Sequence, residues 1–230
     1  GITANFDMYL VPDAIAEASK DCGFRTVIAG ALNDFTQSPK QLSDWYEKYN
    51  HDHELISFQL GFHAEYTTSE KLLKEVALLA QNYQAPVYTH NSETIREVEE
   101  CKGRTGMTPT AYLDSLGMFE YGGGGYHGVY LTEEDMDIFE KHKLSVVTNS
   151  ASNMKLASGI APIARLMERG INLAIGTDGP ASNNCLDMFR EMFLVTGLAK
   201  LREKDAAAVD ADEVLRICLL YTSDAADDGE

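Results

Sequence analysis

Positive charge is scarce in this sequence: 19 lysines and arginines stand against 36 aspartates and glutamates, a formal net charge of −17 over 230 residues. A field of that sign repels nucleic acid and anionic membrane surfaces, so neither is expected as a partner; a neutral or cationic small molecule is the easier ligand. Long apolar runs are missing too. None approaches the ~20 residues that span a bilayer, which leaves a membrane role without support. The four cysteines, Cys22, Cys101, Cys185 and Cys218, form no CxxC pair. The chain does not open on the basic, apolar and small-residue blocks of a signal peptide. The cysteines therefore read as free thiols in a reducing cytoplasm. Histidine is also rare, six in all, and the place of each one carries information.

What is present is enough apolar content, 44%, for one sizeable core, and an alternation of short β-rich apolar runs with longer amphipathic stretches. Seven parallel βα units are expected. The strands are read at Ile2–Phe6, Arg25–Ala29, Leu55–Gly61, Pro86–His90, Tyr121–Tyr126, Leu144–Thr148 and Ile171–Gly176. Helices fall at Pro12–Asp21, Pro39–Tyr49, Ser69–Tyr83, Thr94–Glu100 with Pro109–Leu116, Glu133–Lys141, Ile160–Arg169 and Asn184–Lys200. Ser38 before Pro39, and Thr132 before Glu133 and Glu134, are start signals; Gly23 and Gly170 are stop signals.

A closed (β/α)8 barrel of the TIM type has eight units and about 250 residues. One unit is then missing. Because the chain opens at Gly1-Ile2-Thr3 inside a strand, with no methionine start, the expected absence is the first. Residues 1–217 are read as one incomplete barrel domain. Residues 218–230 fit neither a helical nor a strand period; they resemble translated read-through of a sequencing adapter, in preference to a native acidic disordered tail. Gly122–Gly125 is a run of glycines where packing residues belong, with no role evident from the sequence.

Catalytic groups of parallel barrels gather where strands end. His63, His90 and His127 and the carboxylate of Asp178 fall at such ends, while His51, His53 and His142 read as solvent-facing. One such histidine is as easily a structural residue; imidazoles and a carboxylate converging on one mouth are the ligand types of Zn2+ or Fe2+. Glu93, three residues after His90, can lean over such a site as a general acid/base, or simply stabilise the following helix start. Asp178 sits in Thr177-Asp178-Gly179, followed by Asn183 and Asn184 as caps for a long helix. The polar loop Asn149–Leu156, with Asn149 and Asn153, can offer substrate contacts or be a plain connection.

His90-Asn91-Ser92-Glu93, the strand-end His127, the run from Ser152 to Pro162 and Gly176-Thr177-Asp178-Gly179 through Asn184 resemble the amidohydrolase superfamily. The likeness is to its cytosine, guanine, chlorotriazine and methylthioadenosine/S-adenosylhomocysteine deaminase branch, and runs from Gly1 to about Ile217. It implies one divalent metal with four protein ligands, Zn2+ as first choice and Fe2+ as alternative. His90 and Asp178 match two of them; the first-strand HxH pair has no counterpart here. Glu93 matches the proton shuttle, His127 the histidine that orients water or substrate, and His63 a substrate contact. Histidine rather than lysine after the fourth strand argues against the binuclear dihydroorotase-like branch. The stretch Ile28–Asn33 lacks the arginine expected to hold a substrate tail.

The resemblance thus implies hydrolytic deamination of an amino-substituted heteroaromatic ring, first of all a purine nucleoside such as methylthioadenosine or S-adenosylhomocysteine. Metal hydroxide would attack the ring carbon and Glu93 would relay the proton, with Asp178 both ligand and hydrogen-bond partner. Amide or carbon–halogen hydrolysis of a triazine-like heterocycle is the alternative on the same site. A metal-free ligand-binding barrel, or an inactive fragment, is the alternative of another class. The fragment by itself is expected to be inactive, and a homo-oligomer is compatible with the sequence.

Overall fold

The computed structural model describes residues 2–219, which divide into two compact units. The first comprises Gly1–His90 with Leu113–Gly123, the second Asn91–Tyr112 with the chain from Gly124 onward.

In the first unit the chain alternates β1 (Ala4–Met8), α1 (Pro12–Cys22), β2 (Arg25–Ala29), α2 (Pro39–Asp52), β3 (Ile56–Ala64), α3 (Glu70–Tyr83) and β4 (Val87–Asn91, whose last residue belongs to the second unit). Neighbouring strands pair in parallel, with Ala4 opposite Arg25, Thr26 opposite Ile56 and Leu60 opposite Val87. Pro12 and Pro39 open their helices at positions where a missing N–H costs nothing. The Ser38 side chain accepts from the Gln41 N–H, and Gly23 ends α1 in the left-handed region at φ 65°. Ile28, Leu42, Phe58, Leu60, Phe62, Leu73 and Val76 are fully or almost fully buried between strands and helices, each contributing about 1.5–3 kcal/mol.

The second unit holds α4 (Ile95–Thr105), most of α5 (Pro109–Ser115) and β5 (Gly123–His127), and α6 (Glu133–His142), β6 (Ser145–Thr148), α7 (Ser150–Lys155) and α8 (Ile163–Glu168). It continues through β7 (Asn172–Ile175), α9 (Pro180–Asn183), α10 (Met188–Glu203) and α11 (Ala211–Leu219). Here too the pairing is parallel: Gly124 lies opposite Ser145 and Val146 opposite Leu173. Thr94 and Thr132 close reciprocal capping boxes with Glu97 and Asp135.

All seven expected strands are present among the described residues, and the glycine run has a cause. At Gly123 the φ is 131°, and a Cβ would overlap the Val87 carbonyl oxygen. At Gly125 a Cβ would stand 2.9 Å from the Asn91 Cβ. The glycines let the start of β5 lie against β4 at backbone distance.

Several local expectations are corrected. Asn149–Leu156 is no loop: Ser150–Lys155 is helical. Asn183 and Asn184 do not cap the long helix. Asn184 ends α9 in the left-handed region, and Asp187 caps α10 by accepting from the Phe189 and Arg190 N–H groups. His142 is half-buried rather than solvent-facing, and His63 lies within β3 rather than beyond it. Helix α11 includes Cys218 and Leu219; the remainder of the segment assigned to a tail lies outside the described residues.

Candidate active site

In each unit the sequence-predicted residues stand where parallel strands end. The first unit brings His63 and His90 together, ring centroids 4.8 Å apart. His90 Nδ1 lies 2.7 Å from the His63 carbonyl oxygen. A carbonyl only accepts, so Nδ1 carries the proton and Nε2 keeps its lone pair. Thr67 Oγ1 donates to the Ala64 carbonyl at 3.1 Å and so accepts from His63 Nδ1 at 2.8 Å. Both imidazoles are held in the tautomer whose Nε2 is a donor atom for a cation or an acceptor for a substrate N–H.

The second unit brings Glu93, His127, Asn153 and Asp178 into one network. His127 is buried, with Nδ1 2.7 Å from Asn153 Oδ1, which sets its tautomer in the same way. Its Nε2 faces Glu93 Oε2 at 3.8 Å. Ser158 Oγ donates to Glu93 Oε1 at 3.3 Å. Ser152 Oγ donates to Asp178 Oδ2 at 2.6 Å, and the Gly179 N–H donates to Asp178 Oδ1 at 2.7 Å. Partial burial pushes the Asp178 carboxyl up, but hydrogen bonds from Ser152, Ser182 and Gly179, with His127 nearby, outweigh it and hold the group below the ordinary carboxylate range. Asp178 is therefore a carboxylate at neutral pH. Asn149 is buried too, and Gly176 is glycine because a Cβ would run into the Asn149 side chain.

Three residues of this network's backbone have positive φ: Ser92 at 51°, His127 at 72° and Asp178 at 58°. Non-glycine residues there cost on the order of 1–3 kcal/mol each and persist only when their surroundings hold them. At Ser92 the restraint is Glu97. Its carboxylate accepts from the Ser92 N–H at 3.0 Å, the Glu93 N–H at 2.8 Å and the Thr94 N–H at 3.4 Å. The amides of the loop that carries Glu93 thus share one buried acid, while the Ser92 carbonyl accepts from the Tyr130 N–H at 2.9 Å. Ser152 and Ser158 belong to a motif of the sequence that gave them no role, and the sequence singled out neither Glu97 nor Thr67. The Thr94-Ile95-Arg96-Glu97 capping-box spacing was the available signal for Glu97.

Burial pushes the Glu97 carboxyl up to about 7, against the amide hydrogen bonds that pull it down. A folded value above the ordinary 4.5 means that protonation favours folding. That stabilisation is full below pH ~4.5 and lost as pH rises through ~7, on the order of 3 kcal/mol in all. Urea unfolding across this window is expected to show the decline, and Glu97→Gln to flatten it. Equal slopes in the two proteins would rule out Glu97 as its source.

Among the described residues no three His, Cys, Asp or Glu side chains form a group able to hold a metal ion. As donors, the Nε2 of His90 and the ionised carboxylate of Asp178 are each of a type that suits a borderline divalent cation.

Histidines with preset tautomers, and carboxylates on strained strand-end turns, are the equipment of a hydrolytic site on a parallel βα scaffold. The chain belongs to the amidohydrolase family, whose model matches residues 1–226. It is 40% identical over 223 residues to the 5′-deoxyadenosine deaminase of Methanopyrus kandleri, covering 94% of this chain and 52% of that protein. To the 5-methylthioadenosine/S-adenosylhomocysteine deaminase of Caldanaerobacter subterraneus subsp. tengcongensis it is 39% identical, over 94% of this chain and 52% of the relative. A crystal structure of an adenosine deaminase from Xanthomonas campestris with bound zinc superposes with a TM-score of 0.89 at 35% identity, covering 95% of this chain and 51% of that one. The chain spans about half the length of the curated relatives it matches. The fold is accordingly the (β/α) barrel type of this family, represented among the described residues by seven strands. Among the described residues no helix is long and apolar enough to cross a membrane.

Proposed function

We propose that the whole protein carrying these motifs hydrolytically deaminates an adenosine-type nucleoside altered at its 5′ position. The observation that carries this reading is the Glu93–His127 pair, a carboxylate 3.8 Å from a buried imidazole, beside an Asp178 kept ionised by Ser152. It is supported by relatives named as deaminases of 5′-deoxyadenosine and of methylthioadenosine and S-adenosylhomocysteine.

His90 and Asp178 are the residues that would hold a divalent metal, zinc in preference to iron. Such an ion supplies the Lewis acidity that makes water nucleophilic at neutral pH. Glu93 takes a proton from the attacking water and passes it to the ring's amino nitrogen, so that a C–O bond forms, the C–N bond breaks and ammonia leaves. His127, fixed by Asn153, orients water and the ring. Asp178 accepts a hydrogen bond from the water while Ser152 holds its other oxygen. His63, with Asn149 and Asn153, contacts the substrate.

The test is product release from a panel of 5′-deoxyadenosine, methylthioadenosine, cytosine and a chlorotriazine. Ammonia from the two nucleosides is expected with kcat/KM at least about 10²-fold above the other compounds. Chloride release from the triazine, without ammonia from either nucleoside, would transfer the site to the carbon–halogen reading.

A further inference from the structure

Glu191 lies in the first turn of α10, yet it is completely buried. A carboxylate is taken out of water at a cost that only good partners offset. Its two hydrogen-bond partners are neutral donors on separate segments. Oε2 accepts from the Ala151 N–H at 3.1 Å, inside α7. Oε1 accepts from Asn183 Nδ2 at 2.8 Å, at the end of α9. The second hydrogen of that amide goes to the Thr177 carbonyl at 2.7 Å.

Ser152, next to Ala151, donates to Asp178, next to Thr177. The contacts close a ring that runs from Glu191 through Ala151, Ser152, Asp178, Thr177 and Asn183 back to Glu191. One buried carboxylate grips both sides of the Ser152–Asp178 hydrogen bond. We propose that Glu191 is a positioning residue for Asp178, fixing α7 and the Thr177–Gly179 turn relative to each other so that the Asp178 carboxylate is aimed. The assignment of a task to Asp178 rests on the proposed deaminase; the mechanical coupling does not.

Glutamine at 191 can still accept from Ala151, but its amide then faces the Asn183 amide, donor against donor. A carboxylate that merely favours the helix start would act on α10 alone. Amide hydrogen exchange on this chain separates the two. Glu191→Gln is expected to speed exchange about tenfold or more at Gly179, Ser182 and Asn183, across the ring from α10. Leu166→Ala, a buried residue of α8, serves as a control in the same unit. Compared at matched loss of Tm, it should leave the ratio of those amides to the rest of the unit unchanged.

Asn183→Ala removes the other arm and should free Gly179 in the same way, which keeps the inference testable if the glutamine variant does not fold. Unchanged Gly179 exchange in both variants, or the same pattern in the control, overturns it. Absence of deaminase turnover in the whole protein would count against the proposed function and leave the exchange result standing.

Discussion

Glu93→Gln in the whole protein is expected to lower ammonia release from a 5′-modified adenosine by about 10²–10⁴-fold, the usual worth of a positioned general acid/base. Metal content by elemental analysis should stay at the level of the unsubstituted protein. Glutamine keeps the shape and the acceptor toward Ser158 Oγ, and the loop amides are held by Glu97 rather than by the Glu93 side chain. What is removed is proton carriage, together with the negative charge that faces His127 Nε2. A parallel loss of zinc would make Glu93 part of what holds the ion; unchanged turnover would remove it from the chemistry.

Gly123→Ala should be the most damaging single methyl group in the chain. The position combines φ 131° with a Val87 carbonyl oxygen lying where the Cβ would be. Neither obstacle can swing aside, because both are backbone. A loss of about 4 kcal/mol is expected, at the upper end of single substitutions, read by urea unfolding or by failure of the chain to accumulate folded. Gly103→Ala is the internal reference. It sits exposed in α4 with open space around it, and should stabilise by ~0.5–1 kcal/mol through helix propensity. Equal effects at the two positions would mean that the approach of β5 to β4 does not depend on glycine.

The scaffold was legible because its strands and most of its helices bury apolar side chains at regular spacing, and the strand-end positions of His90, His127 and Asp178 followed from it. Helix α7 was not legible, for a physical reason. Its inward residues are Ser150, Ala151, Ser152 and Asn153, so its buried side is largely hydrogen-bonded and shows no apolar period. Asn184 has the composition of a start signal, but also the tolerance for left-handed backbone that ends a helix.

Glu97 and Glu191 look in sequence like ordinary first-turn carboxylates. Only the fold reveals that each is sealed from water and spent on backbone or amide donors. The members of the site that could react could thus be read from residue type and place. The members that hold them could not, because a supporting acid has the same letter as a solvated one.

The left-handed backbone at Ser92, His127 and Asp178 carries a consequence for descent. At Ser92 the turn is held against its own preference by the buried Glu97, and the Asp178 turn stands beside the Ser152 hydroxyl that donates to its carboxylate, so the groups that hold them are retained at a cost in stability. A lineage that lost its chemistry would gain stability by letting glycine or asparagine into the three positions and an apolar residue into the places of Glu97 and Glu191.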